Sequence, residues 1–260
     1  MIALLTDFGT DNHYVAQMKA RILADHENAV LVDITHSIAP QNIVEAAFIL
    51  RDSIEAFPAG TVFLTVVDPG VGTERRILIV ECNQQFFVMP DNGLIDIVGR
   101  RVGIEKVYSV ETQRFDASFT FHGRDIMAPI AGKIDQGKEA GAVARLILQE
   151  DIVRLAIEEP ERQANSSGGG SIAGQIVYSD RFGNLITNIE SSWLPADRSG
   201  CEVSVKDKTI FGIQNTFADA PNGELMALVG SHNRLEVAVN CGNAHGWVDC
   251  KLPQDVRVAW

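Results

Sequence analysis

Two short segments concentrate the side chains best suited to moving protons and charge. The first reads Asp68-Pro69-Gly70-Val71-Gly72-Thr73-Glu74-Arg75. An acid is followed by two glycines, which let the backbone turn back, and then by an arginine, so Asp68 and Arg75 can face each other. An arginine there keeps the carboxylate ionised and lowers the pKa of a nearby water. The second reads Thr120-Phe121-His122-Gly123-Arg124-Asp125, between polar Ser118 and an apolar run that starts at Ile126. A histidine on a loop ahead of a helix is placed to orient or relay a proton. The same residue types also suit a surface salt bridge and a solvent-exposed loop. Other polar clusters are Thr6-Asp7, Asp33-Ile34-Thr35-His36-Ser37 and Asp180-Arg181-Phe182-Gly183-Asn184. The last also reads as a plain hairpin turn.

These clusters need elements to hold them. Residues 2–6, 29–35 and 61–67 are strand-length apolar runs, and each ends in one of the polar clusters. Between them, 11–25 and 43–57 have helical spacing, the first capped by Thr10 or Asp11 and the second entered through Pro40 and Asn42. Residues 77–82 and 86–89 suggest a hairpin, and 126–134 and 139–148 suggest helices. Strands separated by helix-length segments predict a layered α/β/α domain with a largely parallel sheet. In such sheets ligands bind beyond the carboxyl ends of the strands, where three clusters fall together. The stretch 162–171, RQANSSGGGS, is polar and lacks periodicity, so it reads as a linker. Beyond it, short strands at 172–178, 185–189, 202–205, 225–229, 235–239 and 247–252 predict a smaller all-β, barrel-like domain. The expected division is 1–161, linker 162–171, and 172–260.

Composition removes several classes of function. The 260 residues carry 22 Lys and Arg against 34 Asp and Glu, a net charge of −12. Binding a polyanion needs clustered cations, so nucleic acid and anionic membrane surfaces are poor partners. No apolar run approaches the roughly 18 residues of a membrane span. The start, MIALLTDFG, reads as a first strand rather than a signal peptide. Four sparse cysteines without a C-x-x-C pair point to reduced thiols and a cytoplasmic setting. Cys241, His245 and Cys250 match no usual zinc spacing, so no metal is expected. The Asp-Phe-Gly at residues 7–9 lacks the companion motifs of a kinase. Gly70-Val71-Gly72 leads into a strand-like run rather than a helix, so it is no dinucleotide loop.

Six motifs occur together in order: Thr6-Asp7-Phe8-Gly9, Asp33 to Ile38, Val67 to Gly72, Pro90-Asp91-Asn92-Gly93, Phe121 to Asp125, and Asp180 to Asn184. With them the sequence resembles the S-adenosylmethionine (SAM) hydrolases, or SAM hydroxide adenosyltransferases, relatives of the fluorinase and chlorinase enzymes. The resemblance spans nearly the whole chain. It implies attack of water or hydroxide on the ribose 5′ carbon of SAM, giving adenosine and L-methionine with no cofactor. Asp68, Arg75 and His122 match the catalytic triad of relatives. Asp7 matches the carboxylate that holds the ribose diol, Phe182 an aromatic under adenine, and Asn184 an amide on the adenine edge. Asp180 and Ser231 match positions at the methionine end, and Cys241 lies in a loop matching backbone contacts to adenine. Gln41 stands where the halogenases carry an aromatic residue. The resemblance also implies a homotrimer with sites between subunits. The alternatives are a SAM-dependent halogenase, disfavoured because halogenases carry Tyr in place of Asp68, and a non-catalytic SAM- or adenosine-binding protein.

Overall fold

Residues 2–6 present five buried side chains in a row, a pattern that suits a strand covered on both faces. They form β1 (Ile2–Thr6) in the first of two units, Met1–Leu155 and Ala156–Trp260. The computed structural model describes residues 1–164 and 169–260. From β1 the chain passes through α1 (Tyr14–Asp25), β2 (Leu31–Thr35), α2 (Ile43–Ser53) and β3 (Val62–Val66). A hairpin of β4 (Ile77–Cys82) and β5 (Gln85–Pro90) follows, then α3 (Leu94–Val102), β6 (Lys106–Val110), α4 (Ala128–Asp135) and β7 (Ala144–Ile147). The sheet order is β2-β1-β3-β5-β4-β6-β7. Its core, β2-β1-β3-β5, is parallel, while β4, β6 and β7 extend it antiparallel.

The chain moves from β1 to β2 on one side, then crosses back to β3 on the other. Parallel crossovers are right-handed, so this reversal puts α1 and α2 on opposite faces of the sheet. Ile2, Leu4, Leu64 and Val66 join Met18 and Ile22 of α1 and Ile130 and Ile134 of α4 in one core layer. On the other face Phe63 stacks on Phe87 with ring centroids 4.9 Å apart, and α2 packs against α3. The reversal leaves a crevice between the carboxyl ends of β1 and β3, the usual ligand position in an open α/β sheet.

Two expectations for this unit change. Helix α1 begins at Tyr14, because Asn12 rather than Thr10 or Asp11 supplies the turn: its Oδ1 accepts the Tyr14 N–H at 3.0 Å. Residues 139–148 are not a helix. Gly137, at φ 84°, follows the end of α4, a single 3-10 turn spans Ala140–Ala142, and β7 then pairs with β6 at the sheet edge. Helix α2 is capped as its sequence suggests, with the Asn42 side chain accepting the Glu45 N–H at 3.1 Å.

Among its described residues the second unit is β apart from one short α-helix and two 3-10 turns, Ser191–Trp193 and Phe217–Asp219. It contains β8 (Glu161–Ala164), β9 (Gly170–Ser179), β10 (Leu185–Glu190), β11 (Glu202–Val205), β12 (Lys208–Phe211), β13 (Ile213–Gln214), β14 (Leu225–Val229), β15 (Arg234–Val239), α5 (Ala244–Val248) and β16 (Gln254–Ala259). Among the described residues they form one sheet, β12-β11-β16-β9-β10-β15-β14-β13, with β8 pairing β9. The sheet curls until β12 approaches β14, a barrel-like form around Ile172, Ile176, Leu185, Val203, Val237 and Val256. Much of the expected linker lies inside this unit. Residues 162–164 and 170–171 belong to β8 and β9, which pair antiparallel, and 165–168 lie outside the described residues. The strand expected at 247–252 is also displaced. Asn243 caps α5 by accepting the Gly246 N–H at 2.8 Å, and the strand starts only at Gln254, beyond Pro253.

Candidate active site

Asp7 follows β1 and Asp68 follows β3 by two residues, so both acids sit at the crevice mouth. His122 arrives from a third element. It precedes a single π turn, Gly123–Met127, that opens into α4; such turns recur at functional sites. Asp7, Asp68 and His122 line one cleft of about 370 Å³, whose walls include Phe8, Val71 and Phe121. Phe8, Tyr14 and Phe121 touch one another edge-on or tilted, with centroids 5.3 to 5.7 Å apart, and form a continuous aromatic wall.

Arg75 stands beside this cleft and ties two of its residues together. Its Nε donates to both Asp68 oxygens at 3.0 Å, and its Nη2 donates to Asp68 Oδ2. Nη2 also lies 3.0 Å from His122 Nδ1. A guanidinium has no acceptor and stays charged, so Nδ1 must be the acceptor and the imidazole proton sits on Nε2. Burial pushes the His122 pKa below its ordinary value, and the Arg75 charge pushes it further the same way; Asp68 and Asp125 oppose them. His122 is therefore a neutral imidazole whose Nε2–H is a donor. Asp68 and Arg75 are largely buried, with side-chain exposures of 5% and 9%, so water screens their pairing little.

The loop that returns Arg75 to Asp68 depends on Gly72. Its φ is 78°, and a Cβ there would stand 2.5 Å from the Phe119 carbonyl oxygen. Only glycine allows this backbone to lie against the loop that carries Phe119. Asp7 is held differently, because the Gln41 N–H donates to its Oδ2 at 2.8 Å. Gln41 itself has φ 65°, which its sequence context gave no reason to expect.

The second unit carries its own concavity, about 590 Å³, lined by Phe182, Asn184, Phe217, Val239, Cys241 and Asn243 among others. Phe182 is 76% exposed, so one face of an aromatic ring is open to a planar ligand. The turn beneath it is built by Asp180. Its Oδ1 accepts the N–H groups of Phe182 and Asn184 at 2.9 Å, and its Oδ2 accepts the Asn184 side-chain amide at 2.9 Å. The hairpin reading of 180–184 is thus correct as structure. Gly183, at φ 85°, brings this turn against Asn243, and its carbonyl accepts the His245 N–H at 3.0 Å. Asp180 and Ser231 do not line the concavity; Ser231 sits in the β14–β15 turn. Sequence reading passed over Glu236. It is buried on β15 beside Gly230, and burial with the Asp180 charge pushes its carboxyl up to about 7. A lone acid inside the otherwise apolar run Leu235–Val239 of β15 was its available signal. Among the described residues no group of three His, Cys, Asp or Glu side chains is arranged to hold a metal.

Comparison with known proteins finds two family domains along the chain. Residues 2–144 match the model of the SAM hydroxide adenosyltransferase N-terminal domain, and residues 174–257 match that of the C-terminal domain. A Methanocaldococcus jannaschii protein named (R)-S-adenosyl-L-methionine hydrolase is 30% identical over 100% of this chain and 96% of its own. A Thermus thermophilus protein of the same name is 32% identical over 99% and 98%. The crystal structure of an uncharacterised conserved protein from Thermotoga maritima superposes with a TM-score of 0.88 at 33% identity, covering 99% of both chains.

Proposed function

Because the chain belongs to the SAM hydroxide adenosyltransferase family, we propose that it hydrolyses SAM at the ribose 5′ carbon to adenosine and L-methionine. The observation that carries this reading is Asp68, bound by Arg75 and adjoining a neutral His122, at the wall of the β1–β3 crevice. The sulfonium is already an excellent leaving group. It departs as a neutral thioether and needs no acid. What remains is to place and activate water. Asp68 accepts a hydrogen bond from the water and aims its lone pair along the line of the carbon–sulfur bond. The Nε2–H of His122 and the Arg75 charge favour hydroxide over water. Alignment alone can lower such a barrier by up to roughly 7–11 kcal/mol, and a base adds about 10²–10⁴-fold. An ionised carboxylate at this position repels halide, which favours water as the nucleophile.

The remaining roles extend the proposal. Asp7, with Oδ2 held by Gln41, offers Oδ1 to the ribose diol. Phe182 stacks on adenine, Asn184 reads its edge, and the backbone around Cys241 completes that pocket. Asp180 and Ser231 serve the methionine end; Asp180 Oδ2 accepts the Asn184 side-chain amide and keeps a further lone pair for an ammonium. On this reading the first unit supplies catalysis and the second supplies adenine recognition. The two meet between neighbouring subunits of a homotrimer, and no cofactor takes part. A cytoplasmic setting is consistent with four unpaired cysteines, and no helix among the described residues is long and apolar enough to cross a membrane. The test is product analysis of purified protein with SAM, with and without chloride. Adenosine and methionine in equal amounts, unaffected by chloride, are expected; 5′-chloroadenosine, or no products above the buffer blank, would contradict the proposal.

A further inference from the structure

Behind Asp7 lies a polar chain that the chemistry above leaves unused. Thr6 is fully buried at the end of β1, and its Oγ1 lies 2.9 Å from Nδ1 of His36, itself only 6% exposed. The same Oγ1 accepts the Phe8 N–H at 3.3 Å. On its other side, His36 Nε2 lies 3.0 Å from Asp33 Oδ1, close but off the hydrogen-bond axis, and Lys19 donates to Asp33 Oδ2 at 2.6 Å. The backbone adds a second tie, with the Gly9 N–H donating to the His36 carbonyl at 2.7 Å.

The strands are bent to make this meeting. Leu4 pairs with Asp33 and Leu5 with Thr35, so β2 carries one extra residue just ahead of His36. A bulge re-aims the side chains that follow it. Here it brings the imidazole onto Thr6 rather than out to solvent. Oγ1 accepts from Phe8, so its own proton is free to go to His36 Nδ1, and Nε2 then carries the imidazole proton on the Asp33 side. The turn at residues 6–9 is thereby fixed at Thr6 by a side chain and at Gly9 by a carbonyl. Asp7 lies between these two ties, with the Gln41 N–H on its Oδ2 as a third.

We propose that the Thr6–His36 pair positions Asp7 for the ribose diol, so that this buried contact sets the enzyme's selection for a nucleoside with both sugar hydroxyls. The inference rests on the diol role given to Asp7 above. Without the Thr6 hydroxyl or the His36 acceptor, the 6–9 turn relaxes and Asp7 Oδ1 no longer meets both hydroxyls together. A ligand without the diol never used that geometry and is indifferent to its loss.

The test measures the Kd of adenosine and of 2′,3′-dideoxyadenosine with the full chain, for wild type, Thr6→Val, Thr6→Ser, His36→Leu and His36→Asn. Each variant is checked for folding by its thermal transition. Thr6→Val is nearly isosteric, and Asn places an amide close to the Nδ1 position. Wild type should favour adenosine. Thr6→Val and His36→Leu should weaken adenosine about tenfold or more, the usual scale for a disturbed hydrogen bond to a carboxylate, and leave dideoxyadenosine unchanged. Thr6→Ser and His36→Asn should restore most of the difference, and Thr6→Val should add nothing in an Asp7→Ala background. Equal losses for both nucleosides in folded variants would overturn positioning in favour of a general structural role. No loss for adenosine would overturn it outright. A wild type that does not prefer adenosine would instead overturn the diol role of Asp7, and the positioning role with it.

Discussion

Arg75 is bound on two sides, by the Asp68 carboxylate and by His122 Nδ1, and this shared donor makes the three residues one unit. Removing any member disturbs the others. Asp68→Asn and His122→Ala should therefore still fold, Asp68→Asn with a lowered thermal transition because Arg75 loses its buried partner, but lose about 10²–10⁴-fold in kcat, read as adenosine formed from SAM. Wild-type rates in either variant would remove the assignment. The lowered pKa of His122 also fixes a direction for pH. Protonating Nδ1 would set it against the guanidinium. The acid limb of kcat/KM should therefore fall below pH 6.5, the ordinary imidazole value, with activity retained above it. Stability follows the same sign, because a depressed histidine pKa stabilises the fold above 6.5 and loses that contribution as pH falls through the folded-state value. Glu236 has the opposite sign. Its carboxyl, near 7 when folded against an ordinary 4.5, contributes fully below about pH 4.5 and loses that contribution as pH rises through 7. Glu236→Gln should thus gain stability relative to wild type between urea melts at pH 5 and pH 8, by up to about 3 kcal/mol.

At the scale of elements, the crevice exists because the chain reverses direction between β2 and β3, and the Asp68–Arg75 loop closes because Gly72 lies against Phe119. Gly72→Ala puts a Cβ into that carbonyl at a positive φ. It should cost about 1–3 kcal/mol and reduce turnover by moving Arg75 off Asp68, measurable by thermal melt and SAM assay on one sample. The parallel core was legible in the sequence because β-branched runs end in polar clusters, and the facing of Asp68 and Arg75 was legible from two glycines in a short loop. The edges were not. Residues 139–148 have helical spacing, yet Ala144–Ile147 become an edge strand because β6 offers an open ladder that no local pattern reveals. The Gly/Ser-rich segment looks like a linker by composition, yet its flanks pair antiparallel as β8 and β9, a ladder that composition does not reveal. His36 could be read as a strand terminator; its contact with Thr6 depends on a bulge, which is a property of register between two strands.

For the whole molecule, the proposal divides one reaction between two units whose residues come from different subunits. Mixing tests it. Asp68→Asn and Asn184→Ala chains, each inactive alone, should regain SAM hydrolysis when refolded together, because some sites then pair an intact first unit with an intact second one. No recovery in a mixture of confirmed mixed trimers would place each site within one chain. The acidic surplus of 34 carboxylates against 22 cations has a smaller part in function than its size suggests. Asp7, Asp68 and Asp180 are given work, and most of the others serve solubility. Attack of water at the ribose 5′ carbon is read out by turnover of SAM in oxygen-18 water. Adenosine labelled at its 5′-hydroxyl and unlabelled methionine are expected. Adenosine without the label, or label in methionine instead, would contradict attack at that carbon.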